Sequence, residues 1–170
     1  ILDLKASYTE SARGVVIESK IDKGKGPVST ILISSGKLKK GDHFICGDTW
    51  GKIRAMINYE GKTIDEALPS MPVEILGMNS SAYAGAEFLV TNNENDARKI
   101  AEFKKDNTLK NNILAKDKTT LFDNANNKDE LNIVIKSDVQ GSSEALNMAI
   151  NKIKHDEVEA KIILSDIGMI

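Results

Sequence analysis

The chain has 170 residues, 41% hydrophobic and 28% charged, with a formal net charge of −2. This length fits one or two globular domains, and the near-neutral balance argues against bulk, non-specific nucleic-acid binding. No apolar run approaches the roughly 20 residues that cross a bilayer, no signal peptide is visible, and a single cysteine, Cys46, excludes an internal disulfide framework or a cysteine metal cluster.

In chain order, the first half reads as short strands between tight turns. Val15 to Ile21 alternates: Val15, Ile17, Ser19 and Ile21 share one face, and Val16, Glu18 and Lys20 share the charged one, the pattern of a half-buried antiparallel strand. Val28 to Ser34, His43 to Cys46 and Ile53 to Ile57 are further β-type runs, punctuated by Gly24, Gly26, Gly36, Gly41, Gly47 and Gly51. Asp48-Thr49-Trp50 reads as a hairpin loop with Trp50 at its tip, and Asn58-Tyr59-Glu60-Gly61 as a second loop. Val73 to Leu76 and Phe88 to Val90 add two strands, entered irregularly through Pro69 and Pro72 because proline cannot donate to a central ladder. Short strands at this spacing predict a small closed barrel or a sandwich, and residues 1–92 fit such a domain.

The texture changes after the barrel. Ala97, Ile100, Ala101 and Phe103 fall near helical spacing between Asn95 and Asn112, with Asn93 or Asn95 as cap. The apolar stripe is narrow, which predicts a largely exposed spacer helix. Asp117 to Glu130 is rich in Asn and Asp, with only Leu121 and Phe122 as anchors, so 93–130 reads as a helical and polar linker, mobile in its later part. Leu131 to Lys136 starts a new strand. A helix comes next, with Ser142 as its N-cap, Leu146, Ala149, Ile150 and Ile153 on one face, and Lys152, Lys154 and His155 at its C-terminal end. Ala160 to Leu164 is the next strand, giving a β-α-β unit with parallel strands. Two strands and one helix cannot cover both faces of a parallel sheet, so 131–170 reads as the N-terminal part of an α/β domain. A start at Ile1 and a stop at Ile170 just after a strand fit a piece of a longer chain.

The residues offer little chemistry. The nearest approach to a phosphate-binding G-x-x-x-x-G-K-[ST] loop is Gly47 to Ile53, which is one residue short and ends in isoleucine. Asn127 to Glu130 echoes a guanine-reading N-K-x-D run but ends in Glu. Nucleotide hydrolysis by this chain is therefore not expected. Asp138 to Ser142 lies at a strand-to-helix turn, where a helix N-terminus can take an anion, yet Asp138 and Glu144 bring negative charge and no cation lies between them. The only histidines, His43 and His155, have neighbours that form no ligand set, so no metal site is expected.

Charge is uneven along the chain. Residues 1–60 hold ten basic and seven acidic side chains, whereas residues 61–95 hold one and five. Lys20, Lys23, Lys25, Lys37, Lys39, Lys40, Lys52 and Arg54 supply the cations of the glycine-rich half. Loop lysines can grip RNA phosphates, and an aromatic such as Trp50 can stack; the plain alternative is a set of solubilising surface lysines. The candidate contacts are Lys23, Lys25, Lys39, Lys40, Trp50, Lys52 and Arg54.

The run GPVSTILISSGKLKKGDHFICG, followed by GKIRAMI, resembles the β-barrel domain that comes after the GTPase domain in bacterial-type translation initiation factor two. The likeness continues through Pro69 to Gly77 and Ala84 to Phe88, and resumes at Leu131 to Ser142, which resembles the start of that factor's third domain. It covers nearly the whole chain. The G-x-L-x-x-G-D turn is common to many translational GTPases, while the RAMI, PSMPVEILG and DVQGS segments are more particular to the initiation factor.

The resemblance implies that residues 1–92 form a translation-factor β-barrel of Greek-key type that leans on RNA of the small ribosomal subunit. The α/β part would relay between a GTPase domain and a distal domain that holds initiator tRNA. It also implies that GTP and magnesium belong to the intact factor, that this portion binds no cofactor and performs no chemistry, and that it works in the cytoplasm. Two alternatives remain open at this level. One is the same barrel from another translational GTPase; the other is an enzyme whose α/β half uses the Asp138–Ser142 turn as a ligand site.

Overall fold

Alternating side chains and tight turns build the first part of the molecule from nine strands: β1 (Arg13–Asp22), β2 (Gly26–Ser35), β3 (Leu38–Lys39), β4 (His43–Cys46), β5 (Thr49–Asn58), β6 (Thr63–Ile64), β7 (Glu66–Ala67), β8 (Pro72–Met78) and β9 (Glu87–Thr91). The computed structural model describes residues 2–3, 5–119 and 129–168. Six strands run antiparallel in the order β4-β9-β1-β2-β8-β5, and β5 pairs back onto β4 to close a barrel. Closure removes the open edges at which a sheet of this size would otherwise aggregate. β6 extends the outer end of β5, and β3 pairs with β7 as a separate ribbon. These three two-residue strands are too short to carry a readable period.

Phe44 and Phe88 centre the core, with ring centroids 5.1 Å apart and tilted at 35°. Val16, Ile31, Ile33, Ile53, Met56 and Ile75 pack around them, all fully buried. The two faces of β1 are the reverse of the sequence reading along its first half. Val16 points into the core, and Val15 and Ile17 stand on the outer wall, 38% and 51% exposed. The cause is a bulge between Val16 and Glu18, which shifts the alternation by one and turns Ser19 inward. There Ser19 hydrogen-bonds the equally buried Ser29 across the pair, so neither hydroxyl is left unsatisfied.

β5 and β8 cross closely where both carry glycine. A Cβ on Gly51 would run into the Gly77 carbonyl oxygen, and one on Gly77 into the Lys52 carbonyl oxygen. Gly77 also holds φ at +117°, outside the range that L side chains adopt readily. The register of β5 against β8 shifts between Gly51 and Ala55 at this crossing.

Helix α1 (Glu94–Thr119) comes directly after β9. Its carbonyl-to-amide ladder starts at Asn93, whose oxygen accepts from the Ala97 N–H at 3.2 Å. Its first turns are not a free spacer: Ala97 and Ala101 are buried, and Lys104 Nζ comes within 4.0 Å of Glu87 Oε2. The helix therefore folds back along β9, and its two alanines permit the close approach. Ile100 and Phe103 stay exposed, as the narrow stripe requires. The helix runs past the expected stop at Asn112 to Thr119. Leu121, Phe122 and Asn127 lie outside the described residues. The chain divides into two compact units, Ile1–Lys104 and Lys105–Ile170.

In the second unit β10 (Asp129–Ser137) and β11 (Val158–Ile167) pair in parallel, joined through helix α2 (Gln140–Lys152). One face of the pair packs on α2 through Ile135 and a polar lock: Ser143 Oγ and Ser165 Oγ lie 2.7 Å apart, and Asn147 Nδ2 donates to Ser165 Oγ at 2.9 Å. On the other face Val134 and Leu164 pair in register and are 65% and 55% exposed. Ser142 is not the N-cap. The chain turns so soon after β10 that Val139 holds the capping position in extended conformation, without a side-chain cap, and Ser142 sits inside the first turn. No helix among the described residues is long and apolar enough to cross a membrane.

Candidate nucleic-acid interface

Four of the candidate cations are brought together by backbone hydrogen bonds. The turn after β3 is closed by Asp42, whose Oδ2 accepts from the Lys39 N–H at 2.8 Å. That turn is fastened to β5 on both sides: Gly41 N donates to Ile53 O and Ile53 N to Asp42 O, each at 2.9 Å. Ile53 is buried, so its neighbours Lys52 and Arg54 project from the outer face of β5 beside the Lys39–Lys40 turn. Lys40, Lys52 and Arg54 form no ion pair among the described residues. Lys39 is partly neutralised, with Nζ 3.8 Å from Glu66 Oε1. Glu66 also accepts from Lys37 Nζ at 3.0 Å, and this bond, reinforced by the nearby Lys39 charge, holds its carboxyl below the ordinary value.

Trp50 sits elsewhere than at a loop tip. The β4–β5 turn is only Gly47-Asp48, so Trp50 is already in β5, paired with Ile45 and half-buried. Gly47 makes this two-residue turn possible, with φ at +60°. Cross-strand pairing puts Trp50, Ile45, Leu89 and Arg13 in one row on the outer wall. Trp50, Lys52 and Arg54 thus alternate along a single strand face. Lys23 and Lys25 stand apart on the exposed β1–β2 turn, with β8 between β2 and β5. That turn is closed by a side chain: Asp22 Oδ1 accepts from the Gly24 and Lys25 N–H groups at 2.9 and 3.1 Å, which lowers the Asp22 pKa.

The remaining candidate groups lie apart from this edge. His43 lies on β4 across from Lys52, its Nδ1 buried without a partner. Cys46 is buried in the core, and desolvation pushes its thiol up to about 12, far from a reactive thiolate. At the Asp138–Ser142 turn Ser137 Oγ donates to Val139 O at 3.1 Å and Gln140 Nε2 to Glu144 Oε1 at 2.9 Å, so these side chains stitch the turn to itself. Among the described residues no group of three His, Cys, Asp or Glu side chains could hold a metal ion.

A closed antiparallel barrel with this strand order, leading into a helix and a β-α-β unit, is the architecture of the second domain of a translational GTPase together with the region C-terminal to it. The family model for elongation factor G domain 2 matches residues 11–91, and that for translation-initiation factor 2 matches residues 94–170. The chain is 47% identical over its whole length to a translation initiation factor IF-2 from Pelagibacter ubique, and 43% identical over its whole length to one from Caldicellulosiruptor saccharolyticus. The chain belongs to the translation initiation factor 2 family. It spans about a fifth of the length of these relatives, 23% and 20%. The crystal structure of GDP-bound aIF5B from Aeropyrum pernix shares the fold, with a TM-score of 0.50 at 23% identity over 97% of this chain and 27% of that one.

Proposed function

We propose that this chain is the docking and coupling segment of a translation initiation factor, with the barrel's β5 edge laid against RNA of the small ribosomal subunit. The observation that carries the reading is the fastening of the Lys39–Asp42 turn to Ile53, which gathers Lys39, Lys40, Lys52 and Arg54 beside Trp50. Cations without carboxylate partners are available to phosphates, and an aromatic on the same strand face adds stacking area. Lys23 and Lys25 form a second, smaller contact. The segment itself performs no chemistry and binds no cofactor. In the whole factor a GTPase domain outside this segment would take GTP and magnesium, and another domain would hold initiator tRNA. Residues 1–92 act as the barrel, 93–130 as the linker and 131–170 as the start of the relay domain, all in the cytoplasm.

Binding of the chain to isolated small subunits across a salt series tests this. The native chain should bind saturably and weaken linearly in log–log form with salt. Replacing Lys40, Lys52 and Arg54 with Ala should flatten that slope by about 2–3, close to one for each cation removed from a phosphate. An unchanged slope in the triple variant would rule out the β5 edge as the binding surface.

A further inference from the structure

We propose that the cleft beside Tyr59 binds an unstacked nucleobase of single-stranded RNA. The inference rests on the reading of the β5 edge as RNA-facing and extends it to a segment whose sequence reads as an ordinary loop. The register shift between Gly51 and Ala55 changes the parity of β5, so the outer face that carries Trp50, Lys52 and Arg54 continues at Ile57, and the loop just beyond the strand carries Tyr59, which is 78% exposed. Behind Tyr59 lies a cleft of about 350 Å3, with Ile57 and Pro72 among its walls and Thr30, Asn58 and Glu74 supplying polar atoms. This is room for one base.

The cleft is built rather than incidental. Asn58 Oδ1 accepts from the Glu60 and Lys62 N–H groups at 3.0 and 2.9 Å, and Asn58 N donates to Lys62 O at 2.9 Å, so the loop that carries Tyr59 is cross-braced. The backbone that carries Tyr59 is thereby held in place, which lowers the entropy cost of ordering the loop on binding. Only Oδ1 of Asn58 is used in that brace, and Thr30 brings a hydroxyl to the cleft lining that can donate or accept. Glu74 gives Oε1 to Lys20 at 2.9 Å, leaving Oε2 to accept from a base's amino group. Glu74 in the lining and Glu60, next to Tyr59 in the chain, would repel RNA if bare. Both are neutralised locally, Glu74 by Lys20 and Glu60 by Lys62 at 2.8 Å. The unpaired positive charge lies further along the same strand, at Lys52 and Arg54. β5 and the loop that follows it thus carry, in chain order, aromatic, cation, cation and aromatic groups, a combination that suits a single strand by holding phosphates and stacking bases.

The test is a titration of the isotopically labelled 170-residue chain with single-stranded hexaadenylate at low salt, monitored by NMR, with ultraviolet cross-linking and mass mapping alongside. Shifts should concentrate at Thr30, Ile57 to Gly61 and Glu74, and the cross-link should fall on Tyr59. Tyr59→Ala should weaken binding about tenfold while Tyr59→Phe, which keeps the ring, stays within about twofold. Tyr59 is exposed, so both variants should fold as the native chain does. If Tyr59→Ala binds as tightly as the native chain while the Lys40, Lys52 and Arg54 variant is weakened, the cleft assignment falls and the RNA-facing edge stands. If the native chain binds small subunits in the salt series but does not bind hexaadenylate at all, the cleft assignment falls and the RNA-facing edge stands. Shifts at the cleft on adding a proline-rich decapeptide, with none from RNA, would reassign it to a protein partner.

Discussion

At Gly77 two demands coincide: a positive φ and a strand crossing too tight for any Cβ. Backbone strain and the clash with Lys52 O add, so Gly77→Ala should destabilise the barrel by about 3 kcal/mol or more. Urea denaturation should show a lowered midpoint with little change in slope; an unmoved midpoint would mean that the crossing relaxes freely. A different residue-scale effect resides in Glu66. Its folded pKa lies below the unfolded value of 4.5, chiefly because Lys37 donates to it. A depressed carboxylate stabilises the fold fully above the unfolded pKa, and that contribution disappears as pH falls through the folded value. The native chain should therefore be more stable than Glu66→Gln at pH 7, and the gap should close on acidification below about 4.5. Parallel denaturation series at pH 7 and below pH 4.5 check the sign, and a gap that widens with acid would refute it.

At the scale of elements, the second unit rests on sparse packing, and its helix is held by the Ser143–Ser165–Asn147 lock. Ser165→Ala removes the shared hydroxyl and leaves the buried Ser143 short of a partner, a loss of about 1–3 kcal/mol. Amide exchange in α2 should speed accordingly, while exchange in β1 and β2 should not change. Equal acceleration in both would show that the lock stabilises more than its own unit. The fate of individual elements also shows where local pattern is legible. The runs that form β2, β4, β8 and β9 announce themselves through β-branched and aromatic residues between turn signals. The face of β1 does not, because a bulge at Val16–Glu18 inverts the alternation without a glycine to mark it. Trp50 reads as a loop residue for a related reason: two glycines four apart look like the ends of a loop, yet only Gly47 turns the chain. Gly51 is there to let β8 pass.

At the scale of the molecule, the barrel has closed its sheet and buried its aromatic pair, whereas the parallel strands of the second unit leave Val134 and Leu164 open. Opening free energies should track that difference. Hydrogen exchange under native conditions should show the slowest amides in β1, β2 and β8, and markedly faster ones in β10 and β11. Uniform protection across the 170 residues would contradict it. The candidate interface also belongs to this scale. Its cations are visible in the chain as single residues, and so is the imbalance of charge between 1–60 and 61–95. Their grouping is not, because Lys40 and Lys52 meet only through the Gly41–Ile53 and Ile53–Asp42 bonds.

Local pattern was enough to define the strand-rich first half, the helix after it and the β-α-β unit, because periodicity and turn glycines are properties of neighbouring residues; the family was legible only through the likeness of whole segments such as Pro69 to Gly77 and Asp138 to Ser142. Local pattern could not say which face of β1 is buried, that Ala97 and Ala101 dock on the barrel, which lysines share an edge, or that Tyr59 walls a cleft. Those outcomes depend on barrel closure and strand register, which bring together residues far apart in the chain and leave no local mark on it.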